Sequence, residues 1–208
     1  EGADLQGVPF GADPMAYYYS LPAFEDQGIN IISVAEEDLN GTGTYAKVQP
    51  HGYAEYKELP FDGAVSSTNL AGDTVYKVFN NRIPMNWEEF RYLSKMFTRS
   101  SAYNPDSPTA YGSGTHWWFA YAWSVGGDCI GWNGENYDFS VADKGTNYLV
   151  LSDTLELNDK TYYAGDIVSY QDRAAAADAP AGSVYELPST YDALYEFVRL
   201  SSPVGGNG

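Results

Sequence analysis

The spacing of apolar residues changes period several times along this chain, which confines it to folds that mix helices with short strands. Trp87, Phe90, Leu93, Met96 and Phe97 recur at intervals of three and four, the period of one helix face. Asn86 stands before them as an N-cap, and Glu88 and Glu89 fall in the first turn, where carboxylates suit the helix dipole. A helix of about three turns is predicted here. A second helix starts at Ser189 or Thr190 and carries Tyr191, Leu194, Tyr195 and Val198 on one face. Both apolar faces are expected in the core. Between the two, Asn133-Gly134 separates Ile130-Gly131-Trp132 from Tyr137-Asp138-Phe139 as a hairpin turn, and Asn158-Asp159 marks a second. Residues 174–177 read either as a short helix or as part of a loop. Strands, helix, strands, helix is the order of an α/β or α+β protein.

The amino-terminal part is less regular. Val8-Pro9-Phe10 and Met15-Ala16-Tyr17-Tyr18-Tyr19 read as short strands around the turn-prone Gly11-Ala12-Asp13-Pro14. A short helix is predicted near 21–27, with Gly28 as its C-cap. From 30 to 82 the pattern weakens, with turns at Asn40-Gly41-Thr42-Gly43 and Asp62-Gly63 and a strand at Thr74-Val75-Tyr76-Lys77-Val78-Phe79. This stretch is expected to be an elaboration on a domain.

Charge narrows the partners. Eleven basic residues against 28 acidic ones give −17, which repels phosphate backbones and anionic headgroups, so nucleic acid and membrane surfaces are poor candidates as partners. A single cysteine, Cys129, permits no internal disulfide and no cysteine-based metal site. His116 and His51 are the only histidines and neither has a spaced ligand set, so no metal and no cofactor are expected. The opening Glu1-Gly2-Ala3-Asp4 is not a signal peptide, and the chain reads as cytosolic or as a mature or excised piece. The longest run without Asp, Glu, Lys or Arg covers 21 residues, 107–127, but four glycines, Pro108 and His116 disqualify it as a membrane span.

The end of that run, with the Asp128 that closes it, is the densest signal in the chain: Thr115-His116-Trp117-Trp118-Phe119-Ala120-Tyr121-Ala122-Trp123-Ser124-Val125-Gly126-Gly127-Asp128. Flat rings with polar edges offer large apolar area at low entropic cost, and such surfaces suit sugar rings. The segment is either a core helix rich in aromatics or a binding surface. Periodicity leaves both open.

The landmarks together resemble a known family. The segment from Gly7 through Tyr19, with Phe24-Glu25-Asp26-Gln27-Gly28-Ile29 after it, resembles the crossing between lobes in the carbohydrate-binding solute-binding proteins of ABC importers, the maltose-binding-protein-like family. Met85-Asn86-Trp87-Glu88-Glu89-Phe90 is similar to that family's Pro-x-Thr-Trp-Glu-Glu-Phe helix start. The aromatic helix, its Gly126-Gly127 and the hairpin behind it resemble the elements that follow. Pro188-Ser189-Thr190-Tyr191-Asp192-Ala193-Leu194 is similar to the helix after the family's Ser-Pro-Glu. All matches belong to the second lobe and its hinge.

The resemblance implies an α/β fold, one lobe of a type II periplasmic-binding-protein-like receptor with β-hairpin insertions near 30–82 and 140–181, in a single domain over 1–208. It implies oligosaccharide binding without catalysis, as part of the receptor of an ABC sugar importer. The implied partners are the oligosaccharide, the missing first lobe of the same protein and the permease subunits in the membrane. The implied location is extracellular, as a lipoprotein on a bacterial surface, or periplasmic. Asp13 falls where members place an acidic acceptor for sugar hydroxyls, and its alternative is a turn-forming Asp before Pro14. His116 and Trp117 fall where members present a ring to a sugar face, with Trp118 beside them. Tyr17 either lines the cleft or is an ordinary strand residue. Two rival classes remain: a glycoside hydrolase fragment, which needs a carboxylate pair at defined separation, and a self-contained carbohydrate-binding module, usually a β-sandwich without such helices. No Gly-x-Ser-x-Gly elbow supports a serine hydrolase.

Overall fold

A computed structural model of the chain describes residues 16–99, 104–107, 112–114, 118–132, 135–142 and 144–201. It has mixed α and β content with several small sheets, and its contacts divide it into two compact units, Glu1–Gly112 and Ser113–Gly208.

The first unit opens on α1, Leu21–Asp26, with Pro22 in its first turn, where the missing N–H costs nothing. Gly28 ends it at φ 64° and donates to Glu25 O at 2.8 Å. Any Cβ at Gly28 would lie 2.6 Å from Ser67 Cβ, so glycine is required on both counts. Strands β1 (Ile29–Ile32), β2 (Tyr53–Tyr56), β3 (Ser67–Thr68) and β4 (Thr74–Asn80) form one sheet around β4. β4 runs parallel to β1, with Ile29 opposite Lys77, and antiparallel to β2, with Tyr53 opposite Phe79. The region 30–82, expected as an elaboration, thus supplies β2, β3, β4 and most of β1.

Helix α2, Trp87–Phe97, has the expected cap: Asn86 Oδ1 accepts from Glu89 N at 2.8 Å. Its buried Leu93, Met96 and Phe97 meet Phe24, Ile29, Tyr53 and Phe79 on one side of the sheet. The ring of Phe24 is stacked on Phe97 at 4.9 Å, edge-on to Phe79 at 5.0 Å and tilted against Tyr19 at 5.0 Å. Val78 and Ile32 belong to a second cluster, which Leu39 and Val48 from the connecting segment complete. Asn80, fully buried, ties that segment down by donating to Val34 O at 2.8 Å and accepting from Val34 N at 3.1 Å. The strand expected through Tyr17-Tyr18-Tyr19 does not form among residues 16–19. Tyr19 instead sends its ring into the Phe24–Phe79 cluster, while Tyr18 stands in solvent. The expected strand at 8–10 lies outside the described residues.

The second unit contains α3 (Trp118–Trp123), β5 (Gly131–Trp132), β6 (Tyr137–Asp138), β7 (Thr146–Val150), β8 (Leu155–Leu157), β9 (Lys160–Tyr162), β10 (Ile167–Val168), α4 (Arg173–Ala176), β11 (Val184–Ser189) and α5 (Thr190–Ser201). β7 is the centre of an antiparallel sheet in the order β10-β7-β11. Val150, Val168, Leu157, Tyr162 and Ala176 make its core. The strands of both expected hairpins pair. β5 pairs with β6, the turn expected at Asn133-Gly134 lying outside the described residues, and β8 pairs with β9 across Asn158-Asp159 at φ 50° and 59°, the left-handed pair of a type I′ turn. The region 140–181, read as an insertion, contributes the central strand.

Ser189 and Asp192 close a capping box on α5: Ser189 Oγ donates to Asp192 Oδ2 at 2.6 Å, and Asp192 N donates back to Ser189 Oγ at 3.1 Å. The face expected in the core is the wrong one. Tyr191, Tyr195 and Val198 are exposed and Leu194 is half-buried, whereas Thr190 and Ala193 are buried and Phe197 packs edge-on against Tyr121 at 5.5 Å. Small residues at 190 and 193 let α5 approach α3 closely, and the phenols keep their hydroxyls in water.

Candidate functional site

The aromatic helix is core on one face and surface on the other. Tyr121 and Ala122 on α3, and Val125 just after it, are buried. Phe119 and Trp123, one turn apart, stack at 6.0 Å with 23° between ring planes, and Trp118 closes on Phe119 at 3.9 Å. Trp123 is 43% exposed, and Trp118 and Phe119 are half-buried. The three rings therefore form a ladder, with Phe119 and Trp123 on the outward side and Trp118, in phase with the buried Tyr121, Ala122 and Val125, at its inner edge.

Local chemistry fixes the ladder's direction. Gly126 takes φ 83°, and Gly127 N donates to Ala122 O at 2.8 Å, so the helix stops at the double glycine. A Cβ on Gly126 would meet Ile167 Cγ2 at 2.5 Å, and one on Gly127 would meet Thr190 Oγ1 at 2.8 Å. Asn147 on β7, buried, donates from Nδ2 to Val125 O at 2.7 Å. The helix end is thereby clamped to β7, β10 and α5.

Of the residues singled out in the sequence, Trp118 lies in this ladder. Tyr17 belongs to the first unit; it is 65% exposed and its ring sits 5.2 Å from Phe90 on α2. Asp13, His116 and Trp117 lie outside the described residues. Phe119 and Trp123 were not selected from the sequence, although the spacing of four between them, out of phase with Tyr121, Ala122 and Val125, contains the signal.

Three polar clusters compete for attention. His51 Nδ1 lies 2.6 Å from Glu89 Oε1, and Glu89 also accepts from Asn86 Nδ2 at 3.1 Å and Tyr53 N at 3.3 Å. Glu89 thus serves the start of α2, and His51 joins that arrangement. Glu55 accepts from Tyr53 Oη and Asn69 Nδ2, each at 3.0 Å. Burial, and after it Glu55, pushes the Tyr53 phenol far up and the Tyr92 phenol to about 12, while burial pulls the Lys77 amine down against the opposing pull of Glu55. Perturbed groups mark reactive sites only when a substrate can reach them; Tyr53 and Lys77 are buried. The third cluster borders a cavity of about 470 Å³ with Glu156, Asp172 and Asp178 on its wall and Leu157, Ala174 and Ala175 beside them. Asp172 there accepts from Tyr162 Oη at 3.0 Å and Ser169 Oγ at 3.2 Å, and burial followed by Asp172 raises the Tyr162 phenol. No ring lines this cavity among the described residues.

Among the described residues no group of three or more His, Cys, Asp or Glu side chains is placed to hold a metal ion, and no helix is long and apolar enough to cross a membrane. Comparison with protein-family models, with curated proteins and with solved structures finds no match.

Proposed function

We propose that this chain binds carbohydrate through the outward aromatic side of α3, as one lobe of the receptor of an ABC sugar importer. The observation that carries the reading is the ladder of Trp118, Phe119 and Trp123, held at a helix end whose opposite face is core. Aromatic area of this kind is hydrophobic toward a sugar's C–H face, and tryptophan keeps an N–H for a hydroxyl. The order of motifs along the chain supports the finer description: one lobe of a type II periplasmic-binding-protein-like fold, outside the cytoplasm of a bacterium, closing with a second lobe of the same receptor before a membrane permease. In this reading His116 and Trp117, just before α3, present further rings. Binding needs hydrogen bonds and stacking only, so no catalysis is proposed.

Calorimetric titration of the chain with a panel of α- and β-linked oligosaccharides tests it. Binding to at least one glycan is expected, with loss in Trp123→Ala and Trp118→Ala while both variants still unfold cooperatively. Absence of binding across the panel, or binding indifferent to both tryptophans, overturns the assignment. Release of reducing ends that a single carboxylate substitution abolishes would assign a glycoside hydrolase instead.

A further inference from the structure

We propose that Asn40 is a site of spontaneous, enzyme-independent conversion to aspartate and isoaspartate by way of a succinimide formed with Gly41. The Asn40-Gly41-Thr42-Gly43 turn is exposed, and Asn40 holds φ 58°, a left-handed conformation that asparagine tolerates at some cost. A Cβ built on Gly41 would meet nothing within 4 Å, so neither a side chain nor a neighbour obstructs approach to its nitrogen. Among the described residues the Asn40 side-chain amide and the Gly41 N–H have no hydrogen-bond partner. Five other asparagines among the described residues differ in this respect. Asn30, Asn69, Asn80, Asn86 and Asn147 each commit the side-chain amide to the backbone or to a neighbouring carboxylate.

The reaction balances without any co-reactant but water. The Gly41 amide nitrogen gives its proton to solvent base and attacks Asn40 Cγ; the new N–Cγ bond closes a five-membered imide as the Cγ–Nδ2 bond breaks, and ammonia leaves with a proton from solvent. Water then opens the imide at either carbonyl, giving aspartate or, when the main chain passes through the side-chain carbonyl, isoaspartate. Each event adds a negative charge. The isoaspartyl product also inserts an extra backbone carbon between Cα of residue 40 and Gly41, one residue beyond Leu39, which is buried in the cluster with Val48 and Val78. Conversion therefore loosens the segment that covers this side of the first unit's sheet.

The test incubates the full chain at mildly alkaline pH together with a synthetic peptide of residues 36–45 as a chemical clock, followed by digestion and mass spectrometry with isoaspartate-specific methylation. The Asn40 peptide from the folded chain is expected to gain about one dalton, to split into aspartyl and isoaspartyl forms, and to do so at a rate comparable to the free peptide's. Gly41→Val, which crowds the attacking nitrogen, is expected to slow conversion in both chain and peptide. Retention of asparagine in the folded chain after the free peptide has converted overturns the proposal, as does a rate unchanged in Gly41→Val.

Discussion

Lys77 on β4 stands directly opposite Glu55 on β2, and although it is only 2% exposed its Nζ donates to Gln27 O at 3.0 Å, at the end of α1. The amine is thus a hydrogen-bonded part of the core. Burial holds it below its ordinary 10.5, so between its folded value and 10.5 the unfolded chain binds more protons, and this contribution to stability rises with pH. Tyr92 acts with the opposite sign: its phenol is raised from 10.0 to about 12, so the folded chain keeps a proton that the unfolded chain releases, and stability falls as pH climbs through that window. Thermal midpoints of the full chain between about pH 7 and about pH 12 should rise and then fall. Lys77→Met is expected to flatten the rising limb and Tyr92→Phe to weaken the falling one. A falling limb identical in Tyr92→Phe would assign alkaline loss to other groups.

Gly126→Ala tests the turn that ends α3. A side chain at φ 83° is strained, and the new Cβ would lie 2.5 Å from Ile167 Cγ2. The two costs together should destabilise by about 2 kcal/mol or more, read as a lowered denaturant midpoint. Gly165, also at positive φ but with nothing within 4 Å of its absent Cβ, provides the control: Gly165→Ala should show only the smaller backbone cost.

The helix caps make a third comparison. Asn86→Ala removes the acceptor for Glu89 N and the Nδ2 donor to Glu89 Oε1, and should cost about 1 kcal/mol. Ser189→Ala breaks the box with Asp192 and should cost a similar ~1 kcal/mol. Denaturant titrations of both variants check this. A neutral Asn86→Ala would mean that His51 and Tyr53 N hold Glu89 sufficiently by themselves.

Features set by near neighbours in sequence were legible before the fold was known. Asn86 and Glu89 are three residues apart, Asn158 and Asp159 adjacent, and Gly28 follows directly on α1, so cap, turn and helix end follow from local chemistry. The pairing of β1 with β4 joins segments far apart in the chain, and Lys77 and Asn80 interrupt the apolar alternation of β4 although both are buried. Their role rests on tertiary partners, Gln27 O and the Val34 backbone, which no periodicity reveals. The buried face of α5 was hidden for a related reason. Apolar size favours Tyr191, Tyr195 and Val198, but close packing against α3 selects Thr190 and Ala193. In the candidate site the helix itself was visible, and the division of its rings between core and surface was not, because every position of 117–119 is aromatic and the burial of Tyr121, Ala122 and Val125 fixes the rotation.

That division yields the sharpest test of the aromatic helix. Tyr121 is buried against Phe197, so Tyr121→Ala should destabilise the chain by ~3 kcal/mol, the lower range for truncating a buried aromatic ring. Trp123 keeps 43% of its surface in solvent, and Trp123→Ala should cost ~1 kcal/mol, since it loses only the stacking on Phe119 and partial burial. If the outward rings bind sugar, affinity should follow the reverse order: Trp123→Ala abolishes glycan binding with the fold intact, whereas Tyr121→Phe, which keeps the ring in place, leaves binding as it was. Equilibrium unfolding and calorimetry on the same protein preparations separate the two quantities. A Trp123→Ala variant that unfolds as readily as Tyr121→Ala would make the ladder a packing feature and remove the basis for a sugar-binding face on α3.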